Sequence, residues 1–328
     1  MSCASGSSGS SAGWSRRVAD ELSRWAAGRA PDLLGRAEAE AVAVLRDALV
    51  AAAVGGRKRK AEPRPHLEGD VMWAYGVLGE GAALPATLAG IAGGAVQPVV
   101  AGGLVALMSR VPRAEFAAEP LRDNLNDLAW LERVAREHEA VLDEVLVGAT
   151  TVPLRLCTIF EDADGVRRML EREHAALTDA LARLDGRQEW GVKLLVDGQR
   201  LLGAAAPAGE AVAGEGGAAY LERRRHEREA REAARALAAE IADEVHARLR
   251  DCAIDAVTLP AQNRELSGHE GEMLLNAAYL VEAGRVEDLR AVVESLQERH
   301  GGLGARLELT GPWPPYNFVA GEAPAEPL

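Results

Sequence analysis

Apolar positions along this chain switch between a spacing of two and a spacing of three to four, the signatures of strands and of amphipathic helices. In "DVMWAYGVL", Val71, Trp73, Tyr75 and Val77 alternate with their neighbours, which predicts a strand with one apolar face. "VQPVVAGGLVALMSRV" splits at Gly102-Gly103 into two short strands, a hairpin pattern. Pro98 pushes its arm of that hairpin toward a sheet edge, because proline has no N–H to give to a ladder. Leu125, Leu128, Leu131, Ala135, His138, Leu142 and Val145 keep a three-four rhythm, which predicts one helix from about Arg122 to Val147. "TTVPLRLCTIF" reads as a buried strand. In "DADGVRRMLEREHAALTDALARL", Val166, Met169, Glu173, Leu177, Ala180 and Leu184 share one stripe, a second helix capped by Asp162 or Asp164. "EWGVKLLV" is expected to close this unit, with Trp190, Val192, Leu194 and Val196 on one face and Glu189, Lys193 and Leu195 on the other.

The same reading predicts a second unit. A long helix is expected from about Ala218 to Arg250, charge-dense in its first half and packing through Leu237, Ile241, Val245 and Leu249 in its second. A strand near Ala253 to Leu259, the strand "EMLLNAAYLVE", the helix "VEDLRAVVESLQERH" and the strand "ARLELT" follow. Before the first unit, residues 1–13 are Ser/Gly-rich, Trp14, Val18, Leu22 and Trp25 recur at helical spacing, and a second helical pattern runs from Leu34 to Ala52. "GGRKRKAEPRPHLEGD" then reads as a linker whose basic cluster, Arg57 to Lys60, is a solvated tether.

The expected organisation is therefore a tail, helical extension and basic linker over 1–70, an α+β domain over 71–197 and a linker over 198–217. A C-terminal α+β domain over 218–320 and a short tail over 321–328 complete it. Strands that come first as a meander and then alternate with helices favour a mainly antiparallel sheet with helices on one face. The second unit is expected to form a ferredoxin-like layer of its own.

Composition narrows the function classes. The 328 residues carry a formal net charge of −13, which argues against a general nucleic-acid binder. Cys3, Cys157 and Cys252 have neither metal-site nor disulfide spacing, and a reducing cytoplasm fits them. No apolar run reaches the ~18 residues of a membrane span, and the start carries no signal-peptide core. Chemistry is sparse. His138 and His174 lie within helices, and His226 and His246 sit on one helix without a partner at ligand spacing. No zinc, nucleophile-elbow or phosphate-loop pattern appears, so the residues by themselves assign no catalytic, cofactor or metal site. Arg155 and Lys193 fall in expected strands, where a charge needs a partner, and Glu189 is the candidate partner of Arg155.

The end of the chain is distinctive. In "LELTGPWPPYNFV", Leu307 and Leu309 share a strand face, Gly311 and Pro312 stop the ladder, and Pro314-Pro315 stiffens the segment that carries the last aromatics. Trp313, Tyr316 and Phe318 hang from that stiff backbone. Two readings stand: a lid on the core of the second unit, or a docking ridge for another protein formed by Trp313, Pro314, Pro315, Tyr316 and Phe318.

The ordered strings "WAYGVL", "LERVAREHEAVLDEVL", "VPLRLCTIF", "VRRMLEREHAALTDALARLDG", "EWGVKL", "AAYLERRR", "MLLNAAYLV" and "RLELTGPWPPYNFV" resemble the gas vesicle synthesis proteins of the GvpL/GvpF family from about Val71 to Val319. The resemblance implies two α+β domains, the first a modified ferredoxin-like fold. It also implies a non-enzymatic minor component needed for vesicle formation, without cofactors. Its partners would be the gas vesicle shell protein and other accessory proteins, and it would be cytoplasmic before assembly into the gas vesicle. A small-molecule-binding or enzymatic ferredoxin-like protein is the alternative, and it requires a pocket of convergent polar groups.

Overall fold

The computed structural model describes residues 68–205, 217–260 and 271–319. The helical patterns and basic cluster within 1–67, residues 206–216 of the expected linker and the tail 321–328 lie outside the described residues.

Two antiparallel sheets form. The first contains β1 (Asp70–Gly79), β2 (Gln97–Ala101), β3 (Leu104–Pro112) and β4 (Thr151–Pro153) in the order β2-β3-β1-β4, with the short β5 (Ile159–Phe160) also paired to β1. The second contains β6 (Arg187–Val196), β7 (Asp255–Thr258), β8 (Glu272–Glu282) and β9 (Ala305–Trp313) in the order β7-β8-β6-β9. Both sheets follow one rule: the first strand in the chain sits inside, between the third and the fourth. The β2–β3 hairpin closes at Gly102 and Gly103, with φ of 59° and 81°. A two-residue turn of that hand needs positive φ at both positions, which is why two glycines stand there.

Helices cover both faces of the first sheet. Helices α1 (Arg113–Phe116), α2 (Ala118–Asn124) and α3 (Leu128–Leu146) pack over Trp73, Tyr75, Leu107 and Val111. Helices α4 (Ala163–Arg172) and α5 (His174–Leu184) lie over Met72, Ala74, Val77 and Met108. That second core also takes in Ala278 and Leu280 of β8, so it joins the two sheets. Helices α6 (Gly198–Ala205), α7 (Gly217–Arg250) and α8 (Val286–His300) cover the far face of the second sheet, where Val192, Leu194 and Tyr279 meet Ile241, Val245, Leu249 and Leu296.

The α+β class stands, but the expectation of helices on one face is corrected for the first sheet. Its central strand β1 is buried continuously from Val71 to Leu78, so both faces are apolar and both need cover. The expected alternation also fails midway along β1. A register shift between Ala74 and Gly76 moves Val77 to the face opposite Val71, Trp73 and Tyr75, and brings Leu78 to theirs.

Other boundaries move for local reasons. The helix expected from Arg122 is two helices, because Asp127 stops the run and caps α3, its carboxylate accepting from the Ala129 and Trp130 amides. "TTVPLRLCTIF" is two short strands around a turn in which Cys157 takes a φ of 65°. The stripe from Val166 to Leu184 is kept, and Asp162 is the cap, but the helix breaks at Glu173, with φ −94° and ψ 9°. β6 is not the last strand of the first sheet but an inner strand of the second, bonded to β8 and β9. The Gly198–Ala205 stretch, expected as linker, is helical and buries Leu201.

Candidate functional site

The C-terminal segment after β9 carries the residues singled out in the sequence, and the structure spends them inside the molecule. Trp313 is 3% exposed and Phe318 4%; Pro314 and Pro315 are buried and Tyr316 is half-buried. Trp313 stands opposite Glu189 in the β6–β9 register, and its indole N–H donates to Thr310 Oγ1 at 3.0 Å. Tyr316 packs against the core of the first sheet, and Phe318 enters the core between the sheets. The five side chains form an intramolecular strut, and little of their surface is left to serve as a ridge.

Two polar anchors hold the strut. The first is Glu189, fully buried, whose carboxylate accepts from the Asn317 backbone N–H at 3.1 Å and from Asn317 Nδ2 at 2.7 Å. A buried carboxylate is tolerated when donors satisfy it, and Asn317 supplies two. The expected Arg155–Glu189 pair does not form: Arg155 is exposed in the turn before β5, and its carbonyl accepts from Thr158. Lys193 lies opposite Glu308 in the β6–β9 register.

The second anchor is His138 on α3, 1% exposed. Trp73 Nε1–H donates to His138 Nδ1 at 3.0 Å, so Nδ1 carries no proton. The remaining proton sits on Nε2, 3.0 Å from the Tyr316 hydroxyl. The imidazole stacks on Tyr75, with ring centroids 5.3 Å apart. Burial pushes its pKa down to about 3, against a smaller opposing effect of a hydrogen bond with the Leu154 backbone. His138 is therefore neutral and enclosed, holding three aromatic side chains in place. Tyr75 continues the network: its hydroxyl accepts from the Ile91 amide at 2.8 Å and meets Ser109 Oγ at 2.6 Å. Burial raises the Tyr75 pKa, so it too stays in its neutral form.

The other histidines are scattered. His174 bonds the Gly102 carbonyl at 2.8 Å, closing α5 onto the hairpin turn. His246 meets the Tyr279 hydroxyl at 2.8 Å; burial lowers the pKa of His246 and raises that of Tyr279. His226 lies on the outward half of α7. Among the described residues no group of three or more His, Cys, Asp or Glu is placed to hold a metal ion, and no helix is long and apolar enough to cross a membrane.

Sequence reasoning found Tyr316 and flagged His138 without connecting them. It missed Asn317 as the partner of Glu189. No periodic signal reports such pairs, since they join a strand, a helix and a coil far apart in the chain. The one local hint is Glu189 itself, a carboxylate beside apolar residues in a strand, which demands a donor from elsewhere if it is buried.

Comparison with known proteins matches this architecture. The family model described as gas vesicle synthesis protein GvpL/GvpF matches residues 71–320. Gas vesicle protein L of Streptomyces sp. (strain CB03234) is 40% identical over 248 residues, covering 74% of this chain and 88% of that protein. Gas vesicle protein F of the same organism is 29% identical over 253 residues, covering 72% and 93%. The crystal structure of the gas vesicle protein GvpF from Anabaena sp. PCC7120 superposes with a TM-score of 0.58 at 20% identity, covering 77% of this chain and 98% of that one. At that identity the structural likeness speaks for the fold alone.

Proposed function

Because the chain belongs to the gas vesicle synthesis protein GvpL/GvpF family, we propose that it is a non-enzymatic accessory of gas vesicles that binds hydrophobic shell subunits and supports nucleation and assembly of the shell. One observation carries the non-enzymatic part. Among the described residues the most strongly perturbed histidine, His138, is spent as a neutral bridge between Trp73 and Tyr316, enclosed and away from solvent. A group that serves acid–base chemistry needs a titration range near working pH and a path to a substrate. What the molecule has instead is surface. The shell subunits, being strongly apolar, need shielding from one another before they assemble, and a rigid acidic protein with sheet edges suits that task.

In this reading both sheets are ferredoxin-like units. The second has the β-α-β-β-α-β order, and the first is modified in that no α-helix joins β1 to β2. The Glu189–Asn317 anchor ties the C-terminal segment to the second unit and the His138–Tyr316 anchor ties it to the first. The higher identity to an L protein than to an F protein of one organism supports an L-type role. The protein works in the cytoplasm before assembly and is carried into the gas vesicle with the shell protein and other accessory proteins.

Co-purification tests this. The full chain, tagged and co-expressed with the main gas vesicle shell protein, is expected to bring that protein down in soluble form. A shell protein that remains wholly insoluble and uncaptured contradicts the reading.

A further inference from the structure

Hydrogen-bond phase along β9 singles out one edge of the molecule. The Asp197 N–H bonds the Gly304 carbonyl at 2.9 Å, and the pairs Leu195–Arg306, Lys193–Glu308 and Gly191–Thr310 continue that phase in steps of two. In an antiparallel ladder these pairs exchange their backbone bonds, and the residues between them turn N–H and C=O away from the partner strand. Ala305, Leu307 and Leu309 are those residues. The side chain of Gln297 on α8 covers the first part of this outer row, accepting from the Leu307 N–H at 2.8 Å and donating to the Ala305 carbonyl at 3.1 Å. Past Gln297 the row is open: among the described residues none bonds the Leu307 carbonyl, the Leu309 N–H or the Leu309 carbonyl.

The other sheet edges are blunted. β2 carries Pro98 as the second of its five residues, β4 is three residues long and β7 four. β9 is nine residues long, and its proline, Pro312, lies beyond the open stretch. An exposed row of alternating acceptors and donors recognises one thing, an extended backbone that adds as a further strand.

We propose that the outer edge of β9 around Leu309 docks an extended strand of the shell subunit. This rests on the function proposed above and names the surface that performs it. Side-chain chemistry agrees with an apolar strand. Leu307 and Leu309 lie half-buried on the α8 side of the edge, where an added strand gains cover for its own apolar residues, while Arg306 and Glu308 on the other face are paired with each other at 3.0 Å. A second copy of this chain is disfavoured as occupant, since each carries a net charge of −13. The chain's own C-terminal residues are poor strand formers, with Pro324 and Pro327 each lacking an N–H.

The edge permits a clean test. Leu309→Pro removes an N–H that points away from β6, so the ladder keeps its bonds while the docking edge loses its donor and gains a ring. With the full chain and co-expressed shell protein, capture is expected to fall by about tenfold or more, since main-chain bonds at the edge are lost. Backbone hydrogen exchange on the wild-type complex gives a second readout independent of folding of the variant. The Leu309 amide is expected to exchange quickly in the protein alone and at least about tenfold more slowly in the complex, as a newly bonded strand amide does. Glu308 and Thr310, bonded to β6, stay protected in both. Undiminished capture by a folded Leu309→Pro protein, or a Leu309 amide equally fast in both states, overturns the docking edge and leaves the proposed function standing. Absence of capture by the wild type overturns the proposed function, and the docking edge with it.

Discussion

His138 on α3 and Tyr316 near the end of the described chain, 178 residues apart in sequence, meet at 3.0 Å between the ring Nε2 and the phenol oxygen. Trp73 fixes the proton on Nε2 by donating to Nδ1, so the bond to Tyr316 has one polarity. A side chain from the segment after β9 is thereby locked to the core of the first sheet.

This neutral histidine leaves a signature in acid. Folded, the ring stays unprotonated down to about pH 3, whereas in the unfolded chain it takes a proton near pH 6.5. Its contribution is full above pH 6.5 and declines as pH falls toward 3, because the unfolded state binds the extra proton. Denaturant unfolding of wild type and His138→Gln at pH 7 and pH 5 is expected to show about 2 kcal/mol more loss in the wild type over that interval.

The two anchors differ in weight. Tyr316→Phe removes one neutral hydrogen bond and is expected to cost about 1 kcal/mol. Asn317→Ala strips the side-chain donor from a fully buried carboxylate and is expected to cost about 3 kcal/mol. Paired urea melts of the two variants check the order; equal costs contradict the assignment of Glu189 as a carboxylate satisfied by Asn317.

Trp313→Ala separates strut from ridge. The indole is 3% exposed, and its removal is expected to destabilise the fold by about 3–5 kcal/mol. Thermal melts combined with complementation of a deletion strain decide it. A variant of unchanged stability that fails to restore vesicles returns the segment to a docking role.

Gly90 is in close approach to the Tyr75 hydroxyl: a Cβ there would sit 2.2 Å from that oxygen and 3.0 Å from its ring carbon. Gly90→Ala is expected to destabilise strongly, and Tyr75→Phe to recover part of the loss by removing the nearest atom. A double-mutant cycle by chemical denaturation should show the pair less damaging than the sum of the singles by about 1 kcal/mol or more.

Much of the second unit was legible in the sequence because its elements are long and regular. α8 follows the string "VEDLRAVVESLQERH" end to end, and Trp190, Val192, Leu194 and Val196 share the face their alternation indicates. The first unit was harder. A register shift inside β1 moved Val77 to the other face, and a one-residue shift of that kind leaves no trace in composition. The break at Glu173 was hidden because the apolar stripe continues through it, and its physical partner, the His174–Gly102 contact, joins residues far apart in the chain. The aromatic residues of the C-terminal segment were found from proline rigidity, but their burial was not, since a rigid aromatic run serves a lid and a ridge equally well until its neighbours are placed.

Holding shell subunits during vesicle formation, rather than transforming a metabolite, is the role proposed for this protein. Deleting the gene and imaging the cells by electron microscopy, with the wild-type gene restored in parallel, puts that role to the test. Gas vesicles are expected to be absent or stunted in the deletion strain, with shell protein accumulating unassembled, and both are expected to recover on restoration. Vesicles of normal number and shape without the gene would contradict it.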